Sequence, residues 1–180
     1  MLIETAYHVR REIEVLTKNH CTGIDPDDLC GACGIASWTL DAIYKKLGVT
    51  SEFVMGRFNK NSRFDDSRYG NHCWVQVGEY IVDLTATQFG ISETVYIARI
   101  SDTRYLPEHF GRSAKLRLAK WGDQSQSSYK FALREIVGKV CRQMTHDIKI
   151  QRLLTTNSTA LNSNGINNNY PDSEGIVRCA

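Results

Sequence analysis

Apolar residues recur at helical spacing in two segments near the start of the chain. In residues 2–19 the apolar residues are separated by charged ones. This pattern predicts a surface helix that packs on the body of the protein. A second helix is predicted from residues 31–33 to Gly48, which follows two lysines and is a typical helix stop. The apolar positions are Ile3, Ala6, Val9, Ile13 and Leu16 in the first helix, and Cys33, Ala36, Leu40, Ile43, Tyr44 and Leu47 in the second.

Patterns typical of β-strands follow the two helices. We predict strands over 52–58, 72–77, 80–85 and 94–100, with a polar loop over 59–71 that fits either a substrate-facing lid or a tolerated insertion. Residues 113–154 are predicted to be helical with an interruption near Gly122 and Asp123, and the Asn-, Ser- and Thr-rich residues 155–180 to be a disordered tail. The prediction is therefore an α+β fold in one domain, residues 1–154.

A hairpin is predicted around Gly78 and Glu79, which fit a two-residue loop. That loop pairs position 77 with 80, 76 with 81 and 75 with 82. Because side chains alternate along a strand, His72, Trp74 and Asp83 then share one face, with His72 and Asp83 as diagonal neighbours within side-chain reach. A carboxylate there can fix the tautomer of the imidazole. The alternative is a solvent-facing hairpin, against which the indole of Trp74 argues.

Cys33 lies at the start of the second predicted helix, after residues rich in Gly and Ala. A helix N-terminus offers unpaired N–H groups and a partial positive charge, both of which stabilise a thiolate. An imidazolium from His72 would add to this effect. Cys33 is therefore the candidate nucleophile, although a cysteine in a first helical turn is by itself more often structural.

The composition narrows the classes of partner and compartment. The net charge is only +2, from 22 basic and 20 acidic residues, so nothing favours nucleic acid or an anionic membrane as a partner. No apolar run reaches the roughly 20 residues that span a bilayer, and the opening segment lacks the order of a signal peptide. We therefore expect a cytoplasmic protein whose six cysteines are free thiols or metal ligands.

Three segments together resemble the transglutaminase-like, or papain-like, superfamily of cysteine enzymes. They are 33–49, which opens with Cys-Gly-Ile-Ala-Ser and closes with Lys-Leu-Gly-Val, then 72–77 with His-Cys-Trp-Val-Gln-Val, and 81–85 with Ile-Val-Asp-Leu-Thr. Residues 83–89 are similar to bacterial and phage members. The resemblance covers about residues 30 to 90. It implies a nucleophile helix packed on an antiparallel sheet with flanking helices.

The resemblance also implies roles for individual residues. Cys33 would be the nucleophile, His72 the general base and acid, and Asp83 the residue that orients His72. The run Cys30-Gly31-Ala32-Cys33 is similar to the papain motif, but Gly34 replaces its aromatic residue and only 39 positions separate Cys33 from His72. The Cys33 backbone N–H is the expected oxyanion donor. Gln88 is a candidate for substrate or oxyanion contact, and Trp74 for lining the cleft.

The expected reaction is cysteine-dependent acyl chemistry through a thioester on Cys33, without a cofactor. Amide hydrolysis, deamidation and acyl transfer all remain open, on a protein, a peptide or a small amide or ester. A thioredoxin-like redox role and an arylamine acetyltransferase-like role fit less well, and a catalytically inactive binding domain on the same fold is a further alternative. The rival from another class is a zinc module, whose ligands would be His20, Cys21, Cys30, Cys33, His72 and Cys73.

Overall fold

The computed structural model describes residues 1–20, 24–25, 27–59, 70–121, 134–147 and 149, with only the backbone of 20 and 119–121. The described residues form four α-helices and five β-strands, a 3-10 turn at Ala86–Phe89 aside. The elements are α1 (Leu2–His20), α2 (Cys33–Lys46), β1 (Glu52–Phe58), β2 (Gly70–Val77), β3 (Tyr80–Asp83), β4 (Tyr96–Arg99), β5 (Tyr105–Phe110), α3 (Gly111–Trp121) and α4 (134–147).

The strands build one antiparallel sheet in the order β4-β3-β2-β1-β5, so β2 lies at its centre. The predicted hairpin register is confirmed, since Val77 pairs with Tyr80, and the next two pairs follow as expected. The fold class α+β is likewise confirmed. Residues Met1–Met144 form one compact unit, which contains every feature described below.

Both faces of the sheet are covered. On one face, apolar residues of α1, α2 and α4 pack with Val75, Val82 and Leu84, and α2 also meets a smaller cluster around Cys73. On the other face, Trp74 lies in a second cluster with residues of β1, β3, β4 and β5. Adjacent residues of β2 thus alternate between two cores. Three of the five predicted apolar residues of α1, namely Ala6, Val9 and Ile13, are fully buried, as are Ala36, Leu40, Ile43 and Tyr44 of α2.

Several predicted boundaries were wrong. The strand predicted over 80–85 ends at Asp83, because the Asp83 carboxylate accepts the backbone N–H of Thr85 at 2.8 Å and turns the chain into the 3-10 segment. The strand predicted over 94–100 is limited to Tyr96–Arg99, and β2 begins two residues early, at Gly70. Ile3 was predicted to pack but is 52% exposed, because it lies at the margin of the buried face of α1.

Strand β5 was not predicted, and α3 begins at Gly111 rather than near residue 113. Other predictions fall partly outside the described residues: most of the loop 59–71, the helix interruption near Gly122, and the tail 155–180. Within the described part of the chain, no helix combines the length and apolarity that a membrane crossing needs.

Candidate active site

His72 and Asp83 are in direct contact between β2 and β3. Nε2 of His72 lies 2.6 Å from Oδ2 of Asp83, and both side chains are fully buried. The predicted meeting of these two residues is confirmed, and the alternative of a solvent-facing hairpin was wrong. Because Asp83 occupies Nε2, Nδ1 is the ring nitrogen that remains available for other contacts.

The Asp83 carboxylate accepts hydrogen bonds from two further residues. Its Oδ1 accepts the Thr85 backbone N–H and, at 3.2 Å, the Thr85 hydroxyl, while its Oδ2 also accepts the Tyr105 hydroxyl at 2.9 Å. A buried carboxylate with this many donors is fully satisfied. Tyr105 was missed by the sequence analysis because the strand that carries it, β5, was not recognised.

These contacts determine the charge on the pair. Burial opposes ionisation of Asp83, but the positive charge of His72 and the donors around the carboxylate outweigh it and lower the pKa of Asp83. Burial likewise opposes a charged His72, but the charge and hydrogen bond of Asp83 raise the pKa of His72 to about 10. The pair is therefore an imidazolium and a carboxylate at neutral pH.

Cys33 is the first residue of α2, and its thiol is half-buried. Ala32 precedes it without a side-chain cap, and the first turn contains no acidic residue, so the N–H groups there are not neutralised. Hydrogen bonds from Cys73 and His72, together with the charge of His72, overcome burial and hold the pKa of Cys33 well below its usual value. The structure thus brings Cys33, His72 and Asp83 together.

The sequence predicts Cys73 on the apolar face of the hairpin and gives it a functional role only as a ligand of the rival zinc module. Its side chain is fully buried on the face that α2 covers, where the Ser37 hydroxyl donates to the Cys73 carbonyl oxygen at 2.9 Å. Its contact with the Cys33 thiol raises the pKa of Cys73, so Cys73 stays a neutral donor beside the Cys33 thiolate. Strand alternation did not indicate this contact, because it places His72 and Cys73 on opposite faces while the end of α2 reaches both.

Gln88 and Trp74 occupy different positions relative to the His72 ring. The Gln88 amide nitrogen donates to the Thr85 carbonyl oxygen at 2.9 Å and lies 3.4 Å from Nδ1 of His72. Gln88 is therefore next to the ring nitrogen that Asp83 leaves free. Trp74 is fully buried, with its ring centre 6.0 Å from that of His72, and its indole N–H has no hydrogen-bond partner among the described residues.

The expected zinc ligands are only partly within the described residues. Cys21 and the His20 side chain lie outside them, while Cys30 is exposed and Cys73 is buried. No group of three or more His, Cys, Asp or Glu side chains suited to a metal ion occurs in the described ranges. No disulfide joins the cysteines of these ranges, which are Cys30, Cys33, Cys73 and Cys141.

No protein-family model matches the chain, and no curated protein matches it. Among solved structures, the chain is similar to one described as the crystal structure of genomics APC5867. The two share 15% sequence identity with a TM-score of 0.44, over 79% of this chain and 80% of the other. A similarity at this level carries no argument about the fold or the activity.

Proposed function

We propose that the protein is a cysteine enzyme that cleaves or transfers acyl groups, with Cys33, His72 and Asp83 as its catalytic triad. The observation that carries this proposal is the position of Cys33 at the start of α2, against a buried imidazole that a carboxylate holds through Nε2 at 2.6 Å. A merely structural cysteine does not need a lowered pKa or an oriented imidazolium.

The reaction begins with Cys33 as thiolate and His72 as imidazolium. The thiolate attacks the acyl carbon of an amide or ester, and the carbonyl π electrons move to the oxygen. The backbone N–H of Cys33 donates to that oxyanion, and the Gln88 amide, beside Nδ1 of His72, is placed to donate as well. His72 then gives its proton to the leaving amine or alcohol as the carbon–nitrogen or carbon–oxygen bond breaks, which leaves a thioester on Cys33.

Water or a second amine resolves the thioester. Neutral His72 removes a proton from the incoming group, which attacks the thioester carbon and expels the Cys33 thiolate. Hydrolysis, deamidation and acyl transfer differ only in the groups that leave and enter. We extend the proposal to a papain-like or transglutaminase-like core, because α2 packs on β2 of an antiparallel sheet, and to a protein, peptide or small amide or ester as substrate.

Acylation with p-nitrophenyl acetate tests this proposal. We expect a burst of one equivalent of nitrophenolate, with a single acetyl group on Cys33 in the peptide mass spectrum. Cys33→Ala should abolish the burst, and His72→Gln should slow it strongly. The matched control is Cys30→Ala, which removes an exposed thiol three residues away and should acylate normally. Acetylation that persists in folded Cys33→Ala would exclude Cys33 as nucleophile and leave a binding domain as the better account.

A further inference from the structure

Arg10 of α1 is a buried cation that contacts two separate segments of the site. It is 2% exposed, and its nearest anionic partner is Glu14, whose carboxylate lies 2.6 Å from Nε. Its Nη1 donates to the carbonyl oxygen of Leu84, the residue after Asp83, and to the Thr87 hydroxyl at 3.0 Å. Its Nη2 donates to the carbonyl oxygen of Asp27 at 3.2 Å. One guanidinium thus joins the segment after Asp83 to the loop before Cys33.

Thr87 closes the same connection directly. Its hydroxyl accepts from Arg10 and donates to the carbonyl oxygen of Asp28 at 2.6 Å. Asp28 in turn accepts the Cys30 N–H on its carboxylate at 2.7 Å. The carbonyl oxygens of two consecutive loop residues, 27 and 28, are therefore held from outside the loop by side chains of α1 and of the 3-10 segment.

The loop needs this support because its backbone is strained. Leu29 has φ +59°, an unusual conformation for a branched side chain, and Gly31 has φ +85°. Between them the chain turns so that the Ala32 N–H bonds to the Leu29 carbonyl oxygen at 2.9 Å, and Cys33 starts α2 one residue later. The position of the thiol thus depends on a conformation that the neighbouring contacts must stabilise.

We propose that Arg10, together with Thr87, is a positioning residue that keeps the Cys33 loop and the Asp83 turn in register, so that thiol and imidazole stay in contact. This inference rests on the proposed function and extends the catalytic machinery to α1, which lies outside the residues that resemble known cysteine enzymes. Arginine suits the role because its planar fork can donate along several directions at once, which a lysine ammonium on a flexible stem cannot reproduce.

The test is the pH dependence of Cys33 alkylation by iodoacetamide, followed at the Cys33 peptide by mass spectrometry. Two variants weaken the connection: Arg10→Lys keeps the charge, and Thr87→Val keeps the volume but loses the hydroxyl. Thr87→Ser restores the hydroxyl. Matched controls are Arg11→Lys, at the exposed neighbour on α1, and Thr17→Val, which removes a buried hydroxyl that donates to the Glu14 carbonyl oxygen. Circular dichroism and thermal unfolding establish that each variant is folded at the assay temperature.

In Arg10→Lys and Thr87→Val we expect the alkylation midpoint to move toward the ordinary thiol value by about one pH unit, which is about a tenfold lower thiolate fraction below the midpoint. Thr87→Ser and both controls should keep the wild-type midpoint.

A purely structural role would lower the unfolding temperature without moving the alkylation midpoint. Folded Arg10→Lys and Thr87→Val with wild-type midpoints would therefore overturn this inference but not the proposed function. If Arg10→Lys does not fold, the comparison of Thr87→Val with Thr87→Ser decides. The proposed function and this inference would both be overturned if the wild-type midpoint of Cys33 alkylation lay at the ordinary thiol value and did not move in His72→Gln.

Discussion

Tyr105 donates its hydroxyl hydrogen to Oδ2 of Asp83 at 2.9 Å, the same oxygen that lies 2.6 Å from Nε2 of His72. Burial and the charge of Asp83 raise the pKa of Tyr105, so the hydroxyl remains a donor throughout the accessible pH range. Strand β5, at the edge of the sheet, thereby takes part in holding a carboxylate that lies on β3, although β1 and β2 lie between these two strands in the sheet.

We predict that Tyr105→Phe lowers the free energy of unfolding near neutral pH by about 1.5–3 kcal/mol, the usual range for a hydrogen bond to a charged group. The difference from wild type should shrink in acid, because a protonated Asp83 accepts a weaker hydrogen bond. Urea unfolding followed by tryptophan fluorescence measures both values. Tyr44→Phe is the control, since its hydroxyl donates to the Leu2 carbonyl oxygen instead, and its effect should not depend on pH in this way. If Tyr105→Phe lowered the free energy of unfolding by the same amount at neutral and at acid pH, the prediction would be contradicted.

The ion pair of His72 and Asp83 predicts a second pH dependence. The pKa of His72 rises from 6.5 to about 10 on folding, so its contribution to stability is fully present below 6.5 and is lost as the pH rises through 10. The pKa of Asp83 falls below its ordinary value of 3.8, so its contribution is present above 3.8 and is lost as the pH falls through the lowered value. The pair therefore stabilises the folded protein most between about pH 4 and 6.5.

Asp83→Asn isolates this contribution. We expect the difference in unfolding free energy between wild type and Asp83→Asn to be largest inside that window and to decline steadily on its alkaline side. Asp83→Asn should also fold but acylate slowly, because an amide can hold the wrong tautomer of His72. Denaturant titrations at a series of pH values give the difference curve, with Asp102→Asn as control for a carboxylate that is paired with Arg104 instead of a histidine. A flat curve would show that His72 is neutral in the folded protein.

Local patterns were enough to predict the parts of the site that lie within one hairpin or at one helix end. The two-residue loop at Gly78 sets the register, and alternation then places His72 beside Asp83. In the same way, the glycine at position 48 and the apolar stripe define α2 and put Cys33 at its start. These relationships involve neighbours in sequence or directly paired strands, so periodicity contains the information.

The remaining parts of the site depend on contacts that periodicity does not record. Strand β5 contains Pro107, Glu108 and His109 and lies at an edge of the sheet, so it shows neither an apolar run nor a clear alternation. Arg10 belongs to a charged stretch of α1 and would be taken for a surface residue, yet it is buried because the Glu14 carboxylate and three further backbone or side-chain acceptors satisfy its guanidinium. Tertiary hydrogen bonding, rather than sequence pattern, determines these positions.

Cys73 provides a third prediction, because its thiol stays a neutral donor beside the Cys33 thiolate. The hydrogen bond from Cys73 is the largest of the effects that lower the pKa of Cys33. Cys73→Val, close in volume but without a donor, should raise the pH midpoint of Cys33 alkylation by about one unit or more. Cys73→Ser retains a donor and should stay near wild type. The control is Cys141→Val, a half-buried thiol that packs against the core under α1, α2 and α4, whereas Cys33 packs against the smaller cluster around Cys73. Equal midpoints in Cys73→Val and Cys73→Ser would rule out the hydrogen bond as the cause.

The last prediction concerns Gly56 of β1, where the edge strand β5 comes close to the backbone of β1. A Cβ at this position would overlap the carbonyl oxygen of Leu106 and lie 2.8 Å from the Trp74 ring and 2.9 Å from Cα of Pro107. Because Tyr105 precedes Leu106, we expect a shift of β5 that relieves this overlap to draw the Tyr105 hydroxyl away from Asp83. We therefore expect Gly56→Ala to lower the free energy of unfolding by about 1–3 kcal/mol, as overpacking does.

A matched control separates crowding from the general effect of replacing a glycine in a strand. Gly70 opens β2, and among the described residues a Cβ there would meet only a Phe89 ring carbon at 3.6 Å, an ordinary contact, so Gly70→Ala should change stability by less than about 0.5 kcal/mol. Gly56→Ala should also reproduce the acid dependence of Tyr105→Phe, because both changes deprive Asp83 of the same donor. Gly56→Ala could instead be destabilised while its unfolding free energy keeps the wild-type dependence on acid pH. In that case β5 has shifted without releasing the Tyr105 hydroxyl, and the link between close strand packing and the charge of Asp83 would be disproved.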